Sequence, residues 1–125
     1  MKPAWKRVCA LGVSLWGRLF HRLTPVRLYR AFFLETDEHL PTTLRAKTVY
    51  IVGVRGNEWL AVMLCPCGCR ERLFLNLLKD EFPYWSWHAD ITNAVTLGPS
   101  VWRKVGCKSH FLLRKGQIQW CEPSL

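Results

Sequence analysis

The first thirty residues contain no acidic side chain, although Lys2, Lys6, Arg7, Arg18, Arg22, Arg27 and Arg30 all fall there. Of the 18 basic residues in the 125-residue chain, the 11 that remain beyond this arm face 9 acids, so the net charge of +9 resides mainly in the arm. A nearly balanced body argues against a protein that coats nucleic acid with its whole surface. No apolar run is long enough to span a bilayer as a helix. No internal repeat and no low-complexity segment occurs, which excludes a solenoid. Cys-x-x-Cys is also missing, and with it the usual signature of a dithiol redox relay. What the chain does have is apolar mass: half of its residues are hydrophobic and 7 are tryptophan. That is enough for one folded domain with a core.

The arm carries a helical stripe. Trp5, Val8, Cys9, Trp16, Leu19, Phe20 and Leu23 recur at steps of three and four, with Lys6, Arg7, Arg18 and Arg22 mostly off that face. Gly12 and Gly17 weaken the helix, and Thr24-Pro25 closes it. Lys2, Lys6 and Arg7 before Val8–Trp16 also suggest a secretory signal, but glycine breaks the stretch and no small-x-small cleavage site follows. The expected role is an amphipathic helix packed on the body or on a partner. Weak membrane-surface contact through residues 1–24 is the competing reading.

After Pro25 the pattern changes to short β-type runs. Strands are expected over Arg30–Glu35, Thr48–Val54, Glu58–Leu64, Arg72–Leu77, Ala94–Leu97, Ser109–Arg114 and Gln117–Trp120. Lys115-Gly116 supplies a two-residue hairpin turn between the last two. The expected fold is mainly β: a small sheet or partly open barrel with a zinc-bound turn, preceded by one N-terminal amphipathic helix. The expected division is a basic helical arm over 1–28 and a β-rich zinc-binding domain over 29–125.

Cys65-Pro-Cys-Gly-Cys69 places three cysteines in five positions. Neighbours two apart pair poorly with each other as disulfides, and only Cys9, Cys107 and Cys121 remain as partners. Reduced thiols in a cytoplasmic protein fit better. Pro66 stiffens the turn and Gly68 frees it to wrap around an ion. Zinc needs a fourth ligand from elsewhere. Cys107 in the turn Gly106-Cys107 is the first choice, giving Cys65, Cys67, Cys69 and Cys107; His110 in place of one clustered cysteine is second. Cys9 and Cys121 read as ordinary buried or interfacial thiols.

The order Cys65-Pro-Cys-Gly-Cys69, Val95-Thr-Leu-Gly-Pro-Ser100, Cys107-Lys-Ser-His-Phe111 and Gly116-Gln-Ile-Gln-Trp120 resembles a bacterial family long labelled a domain of unknown function. Asp37-Glu-His-Leu-Pro41 and Thr48-Val-Tyr-Ile51 are similar to its N-terminal segment, so the resemblance covers roughly residues 30–121. The family's members are encoded beside ubiquitin-like proteins and their activating and conjugating enzymes. The resemblance implies a serine-type peptidase with a structural zinc that processes or removes the ubiquitin-like modifier in the cytoplasm. It implies partners too: the modifier or its conjugates, and the co-encoded activating and conjugating enzymes. The stretch Leu78–Asp90, with Trp85, Trp87 and His88, departs from the family pattern in length and aromatic content.

The matching motifs contain Ser100, Ser109 and His110. Serine peptidases need a hydroxyl, a base within reach, a group that orients the base, and donors for the oxyanion. Ser109 and His110 are strand neighbours whose side chains point to opposite faces, which works against their pairing. Ser100 has no such handicap. The expected set is therefore Ser100 as nucleophile, His110 as base and Glu38 as orienter, with Ser109 as alternate nucleophile or oxyanion donor. The alternative is a non-catalytic zinc-bound β module that recruits a protein through its tryptophan-rich stretch.

Overall fold

The computed structural model describes residues 27–121. The expected helix over 1–28 lies outside the described residues except for Arg27 and Leu28, which are not helical. The described residues form eight strands and one 3-10 turn, Asp37–His39, arranged as two four-stranded sheets. The first sheet has the order β1-β2-β3-β4, comprising Arg30–Leu34, Thr48–Val54, Asn57–Leu64 and Arg72–Asn76. β1 runs parallel to β2 and the other pairs are antiparallel. The second sheet is antiparallel throughout, in the order β5-β6-β7-β8: Ser86–Ala89, Val95–Trp102, His110–Arg114 and Gln117–Trp120.

The expectation of one small sheet or barrel is thus replaced by two sheets sharing one core. Ala31, Val49, Ile51, Ala61, Met63, Cys65, Leu73 and Leu75 from the first sheet and its margin meet Val95, Leu97, Val101, Phe111 and Leu113 from the second. Alternation explains the choice: in β3, Ala61 and Met63 face this core, while Leu60, Val62 and Leu64 join Tyr50 on the other face. Leu40 and Leu44, from the β1–β2 connection, cover that second face. β2 is consequently buried along five of its seven residues, in keeping with its β-branched sequence TVYIVGV.

Two differences from the expected strands have clear causes. β5, reading Ser-Trp-His-Ala, is only four residues long and half polar. It exists because it pairs with β6, Ser86 opposite Gly98 and Ala89 opposite Val95. β6 continues past Leu97 to Trp102, through a proline that local reading takes as a stop. The ladder accommodates Pro99 by a register shift between Leu97 and Val101.

A backbone seam joins the sheets ahead of β1. Tyr29 donates to the Gly116 carbonyl at 2.8 Å and accepts from Val95 at 3.1 Å, and Arg30 bridges Ala94. The Lys115-Gly116 turn lies against this seam with both residues at positive φ, 49° and 77°. A Cβ on Gly116 would stand 2.8 Å from the Leu28 Cβ and 3.1 Å from the Tyr29 oxygen. Gly116→Ala is expected to cost about 2 kcal/mol, combining left-handed strain with a clash against the seam. Denaturant unfolding at equilibrium measures it; an unchanged midpoint would mean that the seam is pliable.

Candidate active site and thiol centre

The chain leaves β3 at Cys65 and turns back on itself before β4. Cys65 donates its N–H to the Glu71 carbonyl at 2.8 Å, and Gly68 takes φ +93°, closing the turn that carries Cys67 and Cys69. Cys107 arrives from the β6–β7 connection. The sulfurs of Cys65, Cys67, Cys69 and Cys107 all lie within 4.8 Å of one another. Cys65 Sγ is 3.4 Å from Cys67 Sγ and 3.6 Å from Cys107 Sγ. Tetrahedral zinc with bonds of ~2.3 Å spaces its sulfurs about 3.8 Å apart, so these separations approach the edge of such a site. Four soft donors on two separate loops fit zinc, whose charge would offset the mutual repulsion of four thiolates.

Hydrogen bonds surround these sulfurs. The Cys69 N–H points at Cys67 Sγ at 3.4 Å, and the Ser109 hydroxyl is 3.0 Å from Cys107 Sγ. The Ser109 side chain and then its backbone draw the Cys107 thiol down to about 6. Burial pushes the Cys65 thiol up to about 11. Arg103 donates from Nη1 to Cys107 Sγ at 3.1 Å and to Cys69 Sγ at 3.6 Å. Cys121 is buried and disulfide-bonded rather than an ordinary thiol.

On the neighbouring strand positions, Ser100 Oγ lies 2.9 Å from His110 Nε2. The two residues occupy adjacent strands, and the register explains the meeting. Trp102 pairs with His110 across the β6–β7 ladder, while Ser100 shares a strand face with Trp102 two residues away. The Trp102 indole stacks on the imidazole, with centroids 4.7 Å apart and planes 10° apart. His110 is 4% exposed, and burial lowers its pKa below 6.5, with the Lys104 charge adding to the effect. Lys104 Nζ stands over the Trp102 ring, 3.3 Å from its centroid.

Ser109 turns to the other side of the strand. Its hydroxyl faces the sulfurs of Cys107 and Cys65, at 3.0 and 3.7 Å. His110 therefore stands with Ser100, and Ser109 stands with the thiol cluster. Glu38 is exposed in the 3-10 turn, its N–H donating to Thr36 Oγ1 at 3.3 Å. No hydrogen bond or ion pair joins Glu38 to His110 among the described residues.

Four site residues escape local sequence reading. Trp102 gives no local signal, because its place on one strand face with Ser100 depends on β6 running on through Pro99. Arg103 and Lys104 carry no motif, and only the loop geometry assigns them partners. Trp85 donates its indole N–H to the Ser100 carbonyl at 3.3 Å, so the aromatic stretch after β4 holds the serine's backbone. Asn76 organises that stretch, its side-chain amide donating at 3.1 Å to the carbonyls of Leu78, Glu81 and Pro83. Trp85 and Trp87 are partly buried, packed against the margin of the core.

No helix among the described residues is long and apolar enough to cross a membrane. Comparison with curated proteins and with solved structures finds no match. A family model does match over residues 36–121, a span that includes all four clustered cysteines, Ser100, Ser109 and His110. The chain belongs to the BubE family, described as the serine protease of a bacterial ubiquitination-like system.

Proposed function

We propose that this chain is a serine peptidase that processes a bacterial ubiquitin-like modifier or removes it from conjugates. The observation that carries the reading is the 2.9 Å contact between the Ser100 hydroxyl and His110 Nε2. A serine hydroxyl is a poor nucleophile unless a base receives its proton as it attacks. Burial keeps the imidazole neutral, so Nε2 can accept. In the first half-reaction Ser100 Oγ attacks the carbonyl carbon of the scissile bond and its proton passes to Nε2. His110 then protonates the departing amine as that bond breaks, leaving an acyl-serine ester. Water, deprotonated by the same nitrogen, releases the acid and restores the serine. Stacking on Trp102 holds the ring during both transfers, and Trp85 steadies the serine backbone.

Zinc, when held by Cys65, Cys67, Cys69 and Cys107, would tie the β3–β4 turn to the β6–β7 connection and neutralise thiolate charge. Four protein sulfurs would leave no open position for a substrate, so its role would be structural. The alternative, a zinc-bound module that recruits a protein through the tryptophan-rich stretch, would have less of Trp85 and Trp87 to offer, since both are partly buried against the core.

Incubating the protein with modifier carrying a C-terminal extension, or with modifier conjugates, tests the reading. A mass loss corresponding to cleavage at the modifier's C-terminus is expected; intact modifier after prolonged incubation would contradict it. The pH dependence follows from His110. Its lowered pKa means that the competent neutral form persists above 6.5 and is lost as pH falls through the lower folded value. The acid limb of kcat/KM should thus lie below pH 6.5. Lys104→Ala removes a neighbouring positive charge and should move that limb upward. A limb that stays fixed in Lys104→Ala would show that another group titrates.

A further inference from the structure

Arg103 makes more contacts than a surface ion pair requires. Nη1 reaches two of the clustered sulfurs, Cys107 at 3.1 Å and Cys69 at 3.6 Å, while Nη2 pairs with Glu71 Oε2 at 2.9 Å. The three partners belong to both loops that carry the cysteines, since Cys69 and Glu71 follow β3 and Cys107 precedes β7. Its backbone N–H donates to the Ser109 carbonyl at 2.8 Å, closing the loop that presents Cys107. Gly106 lets that loop sit close over the guanidinium, because a Cβ there would lie 3.3 Å from Nη2. Arg103 also directly follows Trp102, whose ring stacks on His110.

We propose that Arg103 is a positioning residue that locks the thiol cluster and, through it, the Ser100–His110 pair. Four thiolates around a zinc ion carry a net charge of −2, and a guanidinium donating to two of the sulfurs offsets part of it. The planar fork matters. One end serves the sulfurs while the other is held by Glu71, a division that a lysine ammonium cannot reproduce. The Cys107 loop leads within three residues to His110, so a loop fixed by Arg103 also fixes where the imidazole stands. The catalytic half of this inference rests on the proposed serine chemistry; the metal-holding half does not.

Zinc-loaded wild type, Arg103→Met, Arg103→Lys and Glu71→Gln would be compared in two assays. The first follows zinc transfer to a chromogenic chelator. Arg103→Met is expected to release zinc on the order of 10- to 100-fold faster, the range typical of lost partners to metal ligands. Arg103→Lys should recover only part of that loss. Glu71→Gln keeps the guanidinium on the sulfurs and should change release less than about tenfold. The second assay follows fluorophosphonate labelling of Ser100 before zinc is lost, which should slow in Arg103→Met and partly recover in Arg103→Lys. Wild-type release from Arg103→Met overturns the proposal, as does faster release with unchanged labelling. If Arg103→Met does not load zinc, Arg103→Lys decides: equal release to wild type overturns it. Unlabelled wild type would refute the serine chemistry and with it the coupling, while the release assay still judges the hold on the metal.

Discussion

Replacing Ser100 with alanine is expected to lower kcat for modifier cleavage by roughly 10⁴-fold or more while leaving the fold intact. Nucleophile removal in serine peptidases has losses of this order, because the remaining groups bind and polarise the substrate without a covalent route. The fold should not notice. Ser100 is partly exposed, and its side chain contacts His110 rather than the core. Thermal unfolding should shift by only about 1 kcal/mol, the loss of one hydrogen bond to His110. Ser109→Ala should behave differently, since its hydroxyl bonds the sulfurs of Cys107 and Cys65. Retention of metal is where its effect should appear. Steady-state kinetics on both variants separates the roles. Full activity in Ser100→Ala with loss in Ser109→Ala would reverse them.

The second large effect belongs to the thiol centre. Cys67 is exposed and contributes no side chain to the core, so without a metal its replacement by serine should be nearly neutral. With zinc bound, Cys67→Ser should abolish stoichiometric metal and destabilise the protein by on the order of 3 kcal/mol or more, because metal-binding energy at such a site is folding energy. Chelator treatment of the wild type should have the same effect, with activity falling as the fold loosens. Elemental analysis and thermal unfolding check it together. A variant as stable as wild type, or a well-folded wild type purified without any metal, would show that the cysteines are inert. Immediate loss of activity on chelation, with folding unchanged, would instead make the metal a participant in the chemistry.

The strands that depend on their own composition were legible in the sequence. Thr48–Val54 and Gln117–Trp120 have the same bounds in the structure, because β-branched runs and a turn at Lys115-Gly116 decide them locally. The four cysteines were legible as well, since few other arrangements explain three alternating thiols with a fourth in a distant turn. β5 was not. Its four residues carry little strand character, and their conformation is set by β6, which lies beyond the intervening turn. The extension of β6 through Pro99 was hidden for a related reason: a bulge absorbs the missing N–H, and a bulge is a property of two strands. The opposite facing of Ser109 and His110 could be read from strand periodicity alone. The stack of Trp102 on His110 and the reach of Arg103 to the sulfurs depend on register and loop closure, which no single segment encodes.

Activation of Ser100 by His110 can be read by treating intact protein with a fluorophosphonate and locating the adduct by peptide mass mapping. One adduct per chain on Ser100 is the expected result, absent in Ser100→Ala and strongly reduced in His110→Ala that still holds zinc. An adduct on Ser109, or cleavage of the modifier by protein that takes no adduct on Ser100, would rule that activation out.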